Sequence, residues 1–143
     1  MNLQNSKNKI FYGYVSPKEM NGMMIPITLQ HQTLSNYCKN NNSIYGFPTG
    51  ELVSENSYYQ LFSLIKKLKR NSHIVMCSIY MLPSNKKVFN KIKSALFKKK
   101  IVIHCVLENF VLKKNEDVNN LTMLKNIVNI ADSLTDLKIQ KLY

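Results

Sequence analysis

Hydrophobic residues occur along this chain in two alternating patterns. Apolar runs at 9–15, 43–47, 74–82 and 101–107 are rich in β-branched and aromatic residues and predict four strands. The run at 74–82, IVMCSIYML, is the longest and does not alternate with polar positions. This is typical of a strand that is buried on both faces. We therefore expect 74–82 to lie at the centre of a sheet.

Between these runs, hydrophobic positions recur at helical spacing. Pro26 suits the first turn of a helix that ends near the asparagines at 40–42. Ser54 is the expected N-cap of a second helix, over about 55–69. Two further helices are predicted, one through Val88, Ile92 and Leu96 and a last one over 116–131.

The alternation of strands and helices with short connections predicts right-handed βαβ units. The fold class that follows is α/β, a single-domain three-layer sandwich with a mainly parallel sheet of four to five strands, of the flavodoxin or resolvase type. At 143 residues the chain is long enough for one hydrophobic core. We expect residues 1–143 to form one domain with an ordered core at about 9–132.

The cysteine content and the lack of long apolar segments indicate the cellular compartment of the protein. Cys38, Cys77 and Cys105 are odd in number and lack metal-ligand spacing, which favours reduced core residues and predicts no metal site. The polar amino-terminal stretch lacks the apolar segment of a signal peptide, and no run approaches the ~18 apolar residues of a membrane span. We therefore expect a cytoplasmic protein without a membrane span.

The charge of the chain is strongly positive, with a formal net charge of +12. Arg70 is its one arginine, although arginine is the preferred bidentate ligand of phosphate. Lysines cluster at 66–69 and 98–100, at the ends of two predicted helices, where cations complement the helix dipole. We therefore expect no specific nucleic-acid partner, and only weak, salt-dependent binding to duplex DNA.

Polar side chains gather at the carboxyl ends of the predicted strands. In an open parallel sheet these ends share one edge, and ligands bind there near the point where the strand order reverses. Glu51, Glu108 and His104 are the candidates for acid–base catalysis, since two close carboxylates raise the pKa of one of them. The candidate ligand-binding residues at the same edge are Tyr14, Ser16, Asn21, Ser57, Tyr58 and Ser78.

Several of these residues also have a structural explanation. Ser16 can end a strand before a proline, and Asn21 begins an Asn-Gly dipeptide of the kind common in turns. Glu51 lies in a polar loop where most glutamates are merely solvated. His104 lies within an apolar strand, which suits a hydrogen-bonded core histidine. Glu108 directly follows a buried strand, which favours a position in the crevice.

The order of elements, with GYVS leading from the first strand towards a glutamine-containing helix, resembles the catalytic domain of resolvase-type serine recombinases. That family has a nucleophilic serine after its first strand and surrounds it with arginines, several of which follow the third strand. The matching stretch here, IYMLPSNKK at 79–87, has no arginine. The resemblance therefore implies the architecture, and does not imply DNA cleavage by Ser16.

A second resemblance covers about residues 12–112. It rests on these segments in order: GYVSPKEMNGMMIP at 13–26, Gln30, Tyr37–Cys38, Glu51, Ser57–Tyr58, SIYMLP at 78–83, His104 and Glu108. Together they resemble the sporadic carbohydrate cluster protein family, small bacterial proteins encoded among genes for surface-sugar biosynthesis. This resemblance implies a role in a sugar pathway and adds Gln30 to the candidate ligand-binding residues.

These observations lead to an ordered set of expectations about function. The first is an enzyme or accessory enzyme that acts on a sugar or sugar nucleotide in bacterial surface-polysaccharide biosynthesis. The second is a non-catalytic binding or assembly subunit with a degenerate recombinase-like fold, and the third is a nucleic-acid-binding protein. The sequence identifies no cofactor and leaves a homo-oligomer open.

Overall fold

A computed structural model of the chain describes residues 8–54 and 56–142, with the backbone alone for 137–142. The chain divides into two compact units, the first ending at Lys113 and the second beginning at Lys114. The elements are β1 (Ile10–Val15), α1 (Ile27–Asn40), β2 (Ile44–Gly50), α2 (Tyr59–Lys67), β3 (His73–Met76), a 3₁₀ helix (Ile79–Met81), α3 (Lys86–Lys99), β4 (Val102–Cys105), β5 (Phe110–Leu112) and α4 (Asn115–Leu142).

The first unit is built on a five-stranded sheet with the order β2-β1-β3-β4-β5. The first four strands are parallel, and β5 pairs antiparallel with β4. Ile74, Val75 and Met76 of the central strand β3 are fully buried, as their apolar run indicates. The predicted α/β fold class with a mainly parallel sheet is confirmed, and so is the central position of the third strand.

Right-handed crossovers determine which face each helix covers. The chain moves in one direction from β1 to β2 and in the opposite direction from β2 to β3 and β4, so α1 covers one face and α2 and α3 cover the other. In agreement, α1 packs on β1, β2 and β3, while α2 packs against α3. The strand order therefore reverses between β1 and β3, and the carboxyl ends of these two strands are the expected place for a ligand.

A bulge between β1 and β2 shapes this edge of the sheet. The pairing register shifts between Tyr12 and Tyr14, so β2 contains one more residue than β1 in that interval. Pro48 lies in this interval, where an edge strand tolerates a residue without an N–H. After the bulge, the N–H of Glu51 donates to the carbonyl of Val15 at 2.9 Å. The bulge thus brings Glu51 to the end of β1.

The predicted strand at 74–82 is wrong in its second half. Strand β3 covers His73–Met76, and the 3₁₀ helix Ile79–Met81 follows it. Ser78 is the physical reason, because its Oγ accepts a hydrogen bond from the N–H of Tyr80 at 3.2 Å and caps the turn. A side chain that bonds to its own backbone in this way competes with the strand ladder.

Two predicted helix boundaries are also corrected. Helix α2 begins at Tyr59, and its N-cap position is Tyr58, so Ser54 is not the cap. In the second unit, α4 extends from Asn115 to Leu142, beyond the predicted end near residue 131. None of the helices in the described ranges is both long and apolar enough to cross a membrane.

A lysine of α3 closes the carboxyl end of α2. The Nζ atom of Lys99 donates to the carbonyls of Ile65, Lys66 and Leu68 at 3.0, 2.6 and 2.9 Å. These carbonyls have no partner within a helix that is ending, and a cation there also complements the helix dipole. Lys99 therefore ties α2 to α3 at the edge of the sheet opposite to the carboxyl ends of the strands.

We expect Lys99→Met to lower the free energy of unfolding by about 2 kcal/mol, because a hydrogen bond from a charged donor contributes about 1.5–3 kcal/mol at most. Methionine keeps the apolar stem of the lysine side chain, so that only the hydrogen bonds and the charge are lost. Lys98→Met is the matched control, since Lys98 is exposed on the same turn, and its effect should stay within about 0.5 kcal/mol. Urea unfolding of both variants measures the difference. Equal stability of the two variants would contradict the capping role.

Candidate functional site

The Glu51 carboxylate is the most heavily bonded group at the carboxyl edge of the sheet. Its side chain is buried, with the residue 6% exposed. Its oxygens accept hydrogen bonds from five donors: the Tyr14 hydroxyl (2.9 Å), the Ser57 hydroxyl (3.2 Å), and the N–H groups of Leu52 (2.9 Å), Gln60 (3.3 Å) and Leu61 (3.1 Å). Two of these N–H groups belong to the first turn of α2. The Glu51 side chain therefore caps this helix from a distance, although Tyr58 occupies the N-cap position.

These hydrogen bonds keep Glu51 ionised. Burial alone raises the pKa of Glu51, but the donors on Leu52, Tyr14 and α2 outweigh it, and the pKa lies below its usual value. The pKa of the Tyr14 hydroxyl is raised, first by burial and then by the charge of Glu51. At neutral pH the pair is therefore a neutral phenol that donates to a carboxylate. A carboxylate with a lowered pKa is not a proton donor at neutral pH.

Gln30 holds the loop that contains Ser16. The glutamine is fully buried in α1. Its Oε1 accepts from the Ser16 N–H at 3.1 Å, and its Nε2 donates to the carbonyls of Ser16 (2.7 Å) and Ile25 (2.8 Å). The Ser16 hydroxyl accepts from the Lys18 N–H at 3.2 Å, which forms a local turn. Ser16 and Gln30 are thus brought together, and their contacts fix the backbone after β1.

Ser78 and Glu108 form a third bonded pair. The Ser78 hydroxyl donates to Oε1 of Glu108 at 2.6 Å, and the Ile79 N–H donates to Oε2 at 3.0 Å. Glu108 therefore caps the 3₁₀ helix after β3, as Glu51 caps α2. The two carboxylates follow β2 and β4, whose backbones are three strand spacings apart, about 14 Å.

A small cavity lies between the ends of β1 and β3, where the strand order reverses. It has a volume of about 30 Å³, and Tyr14, Ser16, Tyr58 and Tyr80 contribute to its lining. This volume is close to the share of one water molecule in the liquid, whereas sites for small organic ligands have volumes of roughly 300–1,000 Å³. Neither Glu51 nor Glu108 lines this cavity.

A larger groove of about 330 Å³ lies beside the cavity, at the ends of β1 and β2. Pro17, Ile27, His31 and Pro48 line it together with Glu51, and it is open to solvent along one side. His31 is held there by a 2.8 Å hydrogen bond between its Nδ1 and the Tyr45 hydroxyl. The volume of this groove is at the lower end of the roughly 300–1,000 Å³ that small-molecule sites have.

Asn21 lies outside these clusters, at the tip of a tight turn. Met20 and Met23 exchange two backbone hydrogen bonds across the turn, at 2.7 and 3.1 Å. Asn21 and Gly22 both have positive φ, +50° and +81°. This is the conformation that an Asn-Gly dipeptide favours in a two-residue turn. The side chain of Asn21 is exposed.

His104 belongs to a separate cluster of rings. Its Nε2 is 2.9 Å from Nδ1 of His73, and its Nδ1 is 3.0 Å from the Tyr37 hydroxyl. Phe11 stacks on both imidazoles, with ring centroids 4.9 Å from His73 and 4.6 Å from His104. This cluster is formed by residues from the first half of β1 and from β3, β4 and α1. It agrees with the structural alternative for His104, a hydrogen-bonded core histidine.

Lys18 also lies at this edge, although no sequence pattern indicated a role for it. Its Nζ donates to the Ser57 carbonyl and lies 4.2 Å from the centre of the Tyr58 ring. Burial lowers the pKa of Lys18, and the charge of Glu51 partly opposes this shift. Lys18 thus joins the loop after β1 to the segment before α2, to which Ser57 and Tyr58 belong. A lysine in a loop of such a basic chain carries no sequence signal for this role.

Within residues 8–54 and 56–136, no three histidine, cysteine, aspartate or glutamate side chains converge on a point where they could hold a metal ion. The three cysteines Cys38, Cys77 and Cys105 are buried and form no disulfide.

We expect Glu51→Gln to lower the free energy of unfolding by about 2–4 kcal/mol, because the amide turns an N–H₂ group towards backbone donors and the charge is lost. The folded-state pKa of Glu51 is depressed, so its contribution is present above pH 4.5 and is lost as the pH falls through the lowered pKa. Urea unfolding between pH 3 and 7 measures both effects. Glu19→Gln, at an exposed site, is the control, and an equally small change in both variants would exclude the capping role.

We expect the His73–His104 pair to make stability depend on pH. Burial, then His73, Lys113 and Lys9, lower the pKa of His104 to about 4, and burial also lowers that of His73. The stabilisation is complete above pH 6.5 and is lost as the pH falls towards 4, by roughly 2 kcal/mol after allowance for partial exposure. His104→Phe should reduce this dependence in thermal melts to the smaller part that His73 contributes, and His31→Gln should retain all of it. A dependence of unchanged size in His104→Phe would refute the assignment.

Comparisons with known proteins support the fold. The N-terminal catalytic domain of TP901-1 integrase is similar in structure, with a TM-score of 0.51 and 16% sequence identity over 86% of this chain and 98% of that domain. No family model matches the sequence, and no curated protein matches it. The resolvase-like architecture is therefore confirmed, whereas the resemblance to the carbohydrate cluster family gains no support from these comparisons.

Proposed function

We propose that this chain is a non-catalytic binding or assembly subunit built on a recombinase-like fold. The observation that carries the proposal is the use of the polar groups at the carboxyl edge. Glu51, Glu108 and Gln30 each bond to their own chain's loops and helix ends. A catalytic group must instead contact the reacting atoms, and these side chains are committed to holding the backbone.

The dimensions of the edge support the same proposal. The cavity where the strand order reverses has room for about one water molecule. Sites for small organic ligands have volumes of roughly 300–1,000 Å³. Acid–base chemistry on a sugar ring inside this cavity is therefore disfavoured.

The distribution of arginine argues against phosphoryl chemistry. Arg70 is the one arginine of the chain, and it follows α2 at the edge of the sheet opposite to Ser16. DNA strand cleavage needs preorganised donors for the developing charge on the phosphoryl group. The likeness to an integrase catalytic domain, at 16% identity, bears on the fold alone.

The second candidate is an enzyme or accessory enzyme that acts on a sugar or sugar nucleotide in surface-polysaccharide biosynthesis. One observation favours it: the groove of about 330 Å³, which Glu51 and His31 border, lies at the edge where α/β proteins bind ligands. Catalysis there would use Glu51 as a base or as an electrostatic stabiliser, because its pKa is lowered.

We expect the full chain to leave uridine- and thymidine-diphosphate sugars unchanged in ¹H and ³¹P NMR, and to produce neither nicks nor covalent complexes with supercoiled plasmid. The reason is that its carboxylates and Ser16 are bonded within the fold. Turnover that Glu51→Gln or Glu108→Gln abolishes, and that the exposed control Glu116→Gln retains, would contradict the proposal. The variants are compared at a temperature where circular dichroism shows each of them folded.

A further inference from the structure

Helices α2 and α3, which form the outer face on one side of the sheet, come from a part of the chain without acidic residues. Between Asn56 and Leu107 the sequence contains no aspartate or glutamate. The same stretch contains these basic residues: Lys66, Lys67, Lys69, Arg70, Lys86, Lys87, Lys91, Lys93, Lys98, Lys99 and Lys100. Helix capping by Lys99 accounts for one of them. The positive field on this face therefore has no counter-charge from α2, α3 or β3.

An apolar groove runs between these two helices. Its volume is about 290 Å³, and its lining is almost entirely apolar. Tyr58, Tyr59 and Phe62 form the α2 side, while Val88 and Ile92 form the α3 side. Tyr59 is 69% exposed, and Phe62 and Val88 beside it are partly exposed. The groove is therefore part of a contiguous apolar surface, which is the kind of feature that marks interaction sites.

Lysines border this groove on both sides. Lys91 belongs to its lining, and Lys87 lies one turn earlier on α3. On α2, the Nζ of Lys66 lies 4.6 Å from the centre of the Phe62 ring. The surface thus combines an apolar floor with a rim of positive charge and has no carboxylate among its lining residues.

We propose that the α2–α3 groove binds an acidic amphipathic helix of a partner protein. This deepens the binding function proposed above and rests on it. Apolar side chains three and four positions apart on the partner helix would enter the groove, and the carboxylates flanking them would meet the lysine rim. Burial of the apolar anchors provides affinity, and charge complementarity provides orientation and a fast on-rate.

The groove fits a helix better than single-stranded nucleic acid. Nucleic-acid grooves offer free aromatic faces on which bases stack. Here the ammonium groups of Lys66 and Lys18 already lie over the rings of Phe62 and Tyr58, which leaves Tyr59 as the one largely exposed ring of the groove. The opposite side is aliphatic, with Val88 and Ile92, and offers no ring for stacking. Two packed helices with an apolar groove between them are a common acceptor for a third helix.

The test is a fluorescence anisotropy titration of the full chain with a labelled 18-residue peptide that carries leucines along one helical face and glutamates on the other. We expect saturable binding that Tyr59→Ala and Lys91→Glu each weaken about tenfold, since both residues are exposed and tolerate substitution. Lys98→Glu, on the same helix but outside the groove, is the matched control and should leave binding within about twofold. A peptide of the same composition, scrambled to remove the apolar stripe, should bind at least tenfold more weakly.

Four outcomes would overturn the proposal: no binding at millimolar peptide, equal binding of the scrambled peptide, unchanged affinity in the groove variants, or displacement of the peptide by submicromolar oligothymidylate. The last would assign the groove to nucleic acid. Concentration-dependent dimerisation that Tyr59→Ala abolishes would assign it to a second copy and would also overturn the proposal. Loss of the groove proposal would leave the non-catalytic function standing, because that function is judged by turnover of nucleotide sugars and plasmid.

Discussion

The buried carboxylate of Glu51 is the constraint on which the carboxyl edge of the sheet depends. A buried charge is tolerated only when donors replace its water, and here five donors do so. They come from β1, from the loop after β2 and from the first turn of α2. One side chain therefore joins three elements that local sequence leaves unconnected. The bulge at Pro48 is what delivers Glu51 to this position.

The Glu51 carboxylate has a structural use, although it lies at the sheet edge where α/β proteins bind ligands. The chain is similar in fold to an integrase catalytic domain, at 16% sequence identity. At the point where the strand order reverses, however, its polar groups are turned to structural use, and Ser16, Gln30 and Ser78 each bond to neighbouring loops. An edge whose polar groups are bonded in this way suits the non-catalytic binding subunit proposed above.

The features that the sequence predicted well are those that local patterns determine. The apolar run beginning at Ile74 indicated a central strand, and the alternation of elements indicated a parallel sheet. The start of α2 could not be predicted, because its cap, Glu51, lies eight residues before Tyr59 and depends on tertiary structure. The end of β3 was missed because an apolar run hides the capping serine, Ser78, within it. The abundant asparagines had a structural use as well: five asparagines occupy turn positions with positive φ, at 21, 42, 56, 71 and 109.

The use of carboxylates as helix caps also affects the charge of the protein surface. The chain has 20 basic and 8 acidic residues, and two of the acidic ones, Glu51 and Glu108, cap helices instead of balancing the surface lysines. The α2–α3 face is consequently more positive than the net charge alone suggests. Like charges repel across a folded surface and lower its stability, while they keep the protein from associating with itself. The α2–α3 face combines this charge repulsion with an exposed Tyr59 beside an apolar groove. These are the properties of the binding surface for an anionic partner that is proposed above.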